Sequence, residues 1–460
     1  MTSEYESVRS RILSSGQSSR RSSLADLTPL TPIDPPSAPQ PPTTSLPTCG
    51  TNLPTIQPCF VPNLAHYVKK LSEFRISQGF VHLRPSPIHR FGYLSEPHQQ
   101  YQHLTDLLRR IDVNLFNLSS FRLETFLAAQ LTRVVYGSTA LSRTGTSHAT
   151  TSRICHAIFA CAGITELNLP NTPGYRAELD AVTAQGRRPD ISSVLGARQA
   201  VVHQTHALVY FVQKLVCDGG ELTQELIRDT HHILVRDHEP VDDIPWQNFG
   251  GWYRDYRIVR RTDNGTADAD TETLSVTSAS TAGDRRTGHN YSARNDDFDD
   301  GRKQTRLPLS SQQRSPIDPR IVEKYMAELL STYNMQLALY RSQFDKREVT
   351  QSDPLALIAW LCSEFMHIRP FLTANEEISR IILTGVLLKE LGIVAVLGDG
   401  GDAARREYTG ILERGEQRHV VDGKDEAEED EGASYAEFAG LIVRKTERGI
   451  EEFAAMVGAS

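Results

Sequence analysis

Residues 376–391 constrain the fold more than any other stretch. Ile378, Ile381, Ile382, Val386, Leu387 and Leu391 recur at helical spacing, and Gly392 stands just past the end, where a glycine C-cap belongs. A helix this apolar cannot face water along one side. It must be wrapped by other elements, so the chain is expected to be built around it.

The candidate wrapping elements are also helical. Residues 120–136 place Leu123, Phe126, Leu127, Leu131, Val134 and Val135 at 3–4 spacing. Residues 192–216 contain the apolar run Ala207–Val216, which Gly219-Gly220 breaks. Thr223 is a plausible N-cap for a helix through about Val235, with Leu226, Ile227, Ile233 and Leu234 inward. A long helix follows Pro316, with Val322, Tyr325, Met326, Leu329 and Tyr333 on one face. Residues 354–366 form another, with Pro354 suited to its first turn, and the last helix runs from about Tyr435 to Met456. Period-2 alternation is weak; the one candidate strand is Tyr256-Arg257-Ile258-Val259. The class is mainly α.

Not all of the 460 residues are expected to join a core. Apolar residues are 39% of the chain and the mean hydropathy is −0.37, low for a fully folded protein. Residues 1–56 are rich in Ser, Thr and Pro and read as a disordered tail. Residues 262–315 are almost empty of Leu, Ile and Phe, and read as a disordered insertion in a surface loop. Residues 57–119 are assigned to an N-terminal helical extension, 120–415 to the main domain, and 416–460 to an acidic loop, Glu426 to Glu431, and a final helix. A net charge of −8 argues against a general nucleic-acid binder, which needs a basic face. No run is long and apolar enough for a membrane span. Cys49, Cys59, Cys155, Cys161, Cys217 and Cys362 make no C-x-x-C pair, and no apolar leader follows Met1. An intracellular setting, cytoplasmic or nuclear, with reduced thiols is the expectation.

The chemistry concentrates just before the apolar helix, in Arg369-Pro-Phe-Leu-Thr-Ala-Asn-Glu-Glu-Ile-Ser-Arg380. A loop that opens a helix offers backbone N–H groups and the positive dipole end to an anion. This stretch resembles the signature of the Fic (Fido) family, H-P-F-x-D-G-N-G-R-x-x-R. Pro370 and Phe371 set the register, and Asn375 and Arg380 match. Arg369 stands in the histidine place, Thr373 in the acid place, Ala374 and Glu376 in the glycine places, and Glu377 in the first arginine place. The likeness extends to Ile227–Leu234, with His231 in the place of a family histidine, to Gly251-Trp-Tyr-Arg254, resembling G-x-Y-R, and to Tyr325–Asn334. Ser138-Thr-Ala-Leu-Ser142-Arg143 resembles the family's inhibitory S-x-x-x-E pattern, with Ser142 in the glutamate place. An ordinary helix C-terminus accounts for this segment equally well.

The resemblance implies a Fic-like helical core with a small β flap. It also implies ATP and Mg²⁺ as cofactors and AMP transfer to hydroxyls of a protein target. Asn375, Arg380 and Thr373 are then the nucleotide-binding positions and Arg369 occupies the catalytic place. Read as chemistry, Arg369 cannot be a general base, because its guanidinium stays protonated; it holds a phosphate or an ordinary ion pair. His367 belongs to the preceding helix. Thr373 is a weak magnesium ligand, since Mg²⁺ prefers carboxylate and phosphate oxygens. Asn375 is a helix N-cap or a phosphate contact. Glu376 and Glu377 suit a helix start and repel a polyanion. Arg380 pairs with them or with a γ-phosphate. No metal-ligand spacing is present. Two functions follow: a catalytically impaired Fido protein working as a binding module, or an active, atypical nucleotidyltransferase.

Overall fold

Twelve α-helices are found among the described residues of the computed structural model. It describes residues 60–78, 83–85, 94, 96–162, 174–238, 241, 244–254, 317–345, 353–399, 401–421 and 435–458. The Ser/Thr/Pro-rich tail, the low-complexity insertion, the acidic run Glu426 to Glu431 and Tyr256–Val259 lie outside the described residues.

The helices are α1 (Phe60–Ser77), α2 (Pro97–Leu115), α3 (Ser120–Leu141), α4 (His148–Phe159), α5 (Tyr175–Ala184) and α6 (Ile191–Val212). They continue as α7 (Gln224–Leu234), α8 (Val322–Asp345), α9 (Pro354–Ile368), α10 (Asn375–Leu391), α11 (Gly401–Val421) and α12 (Ala436–Gly458). The mainly α class is confirmed. The small β flap is not seen among the described residues. Among the described residues the only β pairing is an isolated bridge, Val241 to Ile244, and the chain ahead of the loop makes a 3₁₀ turn, Trp246–Asn248, instead. The candidate strand falls outside the described residues.

The helix boundaries follow local chemistry. Thr223 caps α7, its hydroxyl accepting from Leu226 N–H at 3.2 Å. Asp353 caps α9 through Leu355 and Ala356 N–H, with Pro354 in the first turn. Gly392 ends α10 at φ 68°, the left-handed cap that a residue without Cβ adopts freely. α6 runs into a single π turn, Gln213–Cys217, before the glycine pair stops it.

α10 is the central element. From Ile378 to Leu388 every residue is buried, packed by α9, α6, α3 and α7. Each large apolar side chain on it contributes about 1.5–3 kcal/mol of burial. Gly385 lets α6 approach: a Cβ there would lie 2.4 Å from the Phe211 ring. One hydrophobic core joins residues from Phe60 to Val457, so the N-terminal and C-terminal helices pack into the same interior as the middle of the chain. α11 runs through the division at 415–416 set from the sequence.

Candidate functional site

The loop 369–374 is fixed at both ends by its own sequence. Arg369 terminates α9 in the left-handed region, φ 46°. Ala374 opens α10 in the same region, φ 60°, a conformation that glycine adopts without penalty. Ala374, not Asn375, is therefore the N-cap residue, and Asn375 is the first residue of the helix. The Asn375 amide faces back across the turn. Its Oδ1 accepts from Phe371 N–H at 2.9 Å and its Nδ2 donates to Phe371 O at 2.9 Å, so both polar groups close the loop.

Two distant segments brace the loop. His231 of α7 is buried, with its ring stacked on Phe371 at 3.8 Å. Gly251 N–H donates to its Nδ1 at 3.0 Å, which leaves the proton on Nε2, and Nε2–H donates to Thr373 O at 3.2 Å. Burial pushes its pKa down to about 3, so the ring is neutral. Arg254 donates from Nε to Arg369 O at 2.7 Å and from Nη2 to Ile368 O at 3.2 Å and Ile317 O at 2.8 Å; its own N–H donates to Pro370 O at 2.7 Å. Burial lowers its pKa to about 10, and it stays charged at neutral pH. Sequence reasoning marked His231 and Gly251–Arg254 only through family resemblance; their work is to hold the loop backbone.

Arg380 is 4% exposed and surrounded by partners from three helices. Nε donates to Ser138 Oγ at 2.8 Å, and Nη2 to Ser142 Oγ at 2.5 Å and Ser138 O at 3.3 Å, all on α3 or its C-cap. Glu376 and Glu377 lie 3.3 and 3.9 Å from the guanidinium, one turn earlier on α10. The Tyr408 ring of α11 lies 5.5 Å from it. Burial works against the charge, but Tyr408, Glu377 and Glu376 outweigh it and hold the guanidinium above its ordinary range. The internal pairing expected for Arg380 is present.

Arg369 is ion-paired with Glu416 of α11. Burial raises the Glu416 carboxyl, as do Glu376 and Glu413 nearby, against the lowering by Arg369. Glu416 went unmarked in the sequence, because nothing in a polar helix some fifty positions on signals a partner for Arg369. His367 sits in the last turn of α9 and lines a small cavity with Ser363, Met366 and Gly415. Thr373 is brought to the loop through its backbone carbonyl, which His231 engages. Among the described residues, His103, Glu447 and Glu451 present ligand atoms within 4.8 Å of one another, on α2 and α12 rather than at the loop. Cys155, Cys161, Cys217 and Cys362 are free thiols. No described helix is long and apolar enough to cross a membrane.

The loop between α9 and α10 is thus closed by its own Asn375 and braced by His231 and Arg254. Over 75 residues, 16% of this chain and 46% of the relative, the chain is 35% identical to a Fido domain-containing protein of Dictyostelium discoideum. Over that stretch the chain is similar to a protein of the Fic/Fido domain family. It spans less than half the length of that curated relative. No family model matches the chain. Similar solved structures include a Fic domain containing signaling protein from Bacteroides thetaiotaomicron, 15% identical, covering 79% of this chain and 97% of that one, with a TM-score of 0.45. Fic-1 from C. elegans is 13% identical, covering 87% of this chain and 84% of that one, with a TM-score of 0.44.

Proposed function

We propose that this chain is a Fido-domain protein that does not transfer AMP in the form described and acts as a protein-binding module. Fic enzymes use ATP and Mg²⁺ and modify protein targets. The residues here do not fit that cofactor pair. The observation that carries the reading is the enclosure of Arg380: Ser138, Ser142, Glu376 and Glu377 take the guanidinium that a γ-phosphate would need. The other points agree. Arg369 cannot accept a proton, Thr373 brings no carboxylate to a metal, and Glu376 and Glu377 place negative charge at the helix opening where phosphates would lie. Losing a positioned base costs roughly 10²–10⁴-fold in rate.

Glu416 favours the second reading, an atypical nucleotidyltransferase: it brings a carboxylate from another helix to the residue in the histidine place. Calorimetry on the full chain separates the two. No heat up to millimolar ATP, with or without Mg²⁺, is expected of the binding module. Micromolar, magnesium-dependent binding weakened by Arg380→Ala would sink that reading, show that the phosphate site survives and call for a search for transferred AMP.

A further inference from the structure

α11 lies against the motif loop from one side. Where its side chains are described, the buried positions are Ala404, Tyr408, Ile411 and Gly415. Of its ion pairs to α12, Glu407 with Arg444 is exposed and contributes little, whereas Arg414 forks onto both oxygens of the half-buried Glu437. The inner side meets both arginines of the motif. The Tyr408 hydroxyl is 3.5 Å from Arg380 Nη1, and Glu416 pairs with Arg369. A cavity of about 20 Å³ lies beside Glu416, lined by Met366, His367, Ile411, Leu412 and Phe438.

We propose that α11 is a detachable cover of the 369–375 loop, latched by Glu416 on Arg369, and that a phosphate-class anion displaces it by taking Arg369 from Glu416. A guanidinium binds carboxylate and phosphate through the same fork of N–H donors, so the two compete for one site. Burial works against the charge of Glu416, and Glu376 and Glu413 add like charge to it, which weakens its hold on Arg369. Arg380 keeps its partners on α3 and α10 when α11 leaves, so the uncovered anion site is Arg369 alone. The inference rests on the reading that the covered, non-transferring loop is the resting form, and it names how that loop is regulated.

Hydrogen exchange of the full chain tests it, with inorganic phosphate as the probe. Glu416→Gln is expected to speed exchange of the 404–416 amides about tenfold while 378–388 stay protected. Phosphate at tens of millimolar is expected to do the same in the unmodified chain, and to do nothing in Arg369→Ala beyond that variant's own effect. Exchanging the pair, Arg369→Glu with Glu416→Arg, restores protection if the latch is the ion pair; this arm decides the matter should Glu416→Gln destabilise the whole fold. Unchanged α11 exchange in Glu416→Gln, or failure of the exchanged pair to restore it, overturns the proposal. ATP calorimetry on the unmodified chain reports separately: micromolar binding there defeats the non-transferring reading, whatever α11 does.

Discussion

Arg380 Nη2 donates to Ser142 Oγ at 2.5 Å, linking the buried centre of α10 to the C-cap of α3 across 238 positions of sequence. This contact, with Ser138 and the two glutamates, makes the last motif arginine a structural cation. Arg380→Met keeps the aliphatic stem but leaves Ser138 and both carboxylates without their donor. A loss of about 2–4 kcal/mol is expected, below a fully buried pair because Glu376 is partly solvated. Thermal denaturation of the full chain reads it; an unchanged midpoint would mean the guanidinium contributes nothing net.

Ala374 pays for a conformation that suits glycine. At φ 60° an L-residue is strained by about 1–2 kcal/mol, while a glycine loses about 0.5–1 kcal/mol more chain entropy on folding. The difference favours glycine, so Ala374→Gly is expected to stabilise by about 0.5–1 kcal/mol. Chemical denaturation should show a raised midpoint with an unchanged slope; a lowered midpoint would show that the methyl group's packing outweighs the strain.

Much of this fold was legible in sequence because it is set locally. Thr223, Pro354 and Gly392 act through the backbone within one turn, and the apolar run of α10 announces its own burial. The site was legible only in part. The pairing of Arg380 with Glu376 and Glu377 follows from helical spacing. The Asn375 clasp, the Glu416 partner and the His231 brace depend on the loop path and on contacts far apart in sequence, which spacing does not encode.

Acid should act through His231. Its folded pKa, about 3, lies below the ordinary value near 6.5, so between those pH values the unfolded chain binds the extra proton. Stability is therefore full above about pH 6.5 and falls as pH drops toward 3, by roughly 3–5 kcal/mol at most for so buried a ring. His203, pushed down to about 4 chiefly by burial, acts in the same direction. His231→Asn is expected to flatten the decline in melting temperature between pH 6 and 4 by about one proton's worth. An identical slope in both proteins would show that His231 does not titrate in this way.

Gly385 marks where α6 and α10 come together. A methyl group there meets Phe211 Cε1 at 2.4 Å and Leu215 Cδ2 at 3.3 Å, inside a packed core. Gly385→Ala is expected to cost about 1–3 kcal/mol despite alanine's higher helix propensity. Adding Phe211→Leu should make the double variant less destabilised than the sum of the single changes. Simple additivity would place the strain elsewhere.

Arg254 is the fastening with the most geometric content. Its guanidinium reaches Ile368 O and Arg369 O at the end of α9, where helix carbonyls lack partners within the helix and carry partial negative charge, and it also reaches Ile317 O ahead of α8. A lysine can bring charge to this place but not a planar fork that serves separate carbonyls at once. Arg254→Lys is therefore expected to destabilise by about 1.5–3 kcal/mol, the range for hydrogen bonds to a charged group. The effect should be local. Exchange of the 371–376 amides should rise more than that of 381–388, because the loop loses its brace while α10 keeps its packing. Equal acceleration in both segments would mean that Arg254 supports the whole helix pair, and no change would mean that the stack of His231 on Phe371 holds the loop unaided.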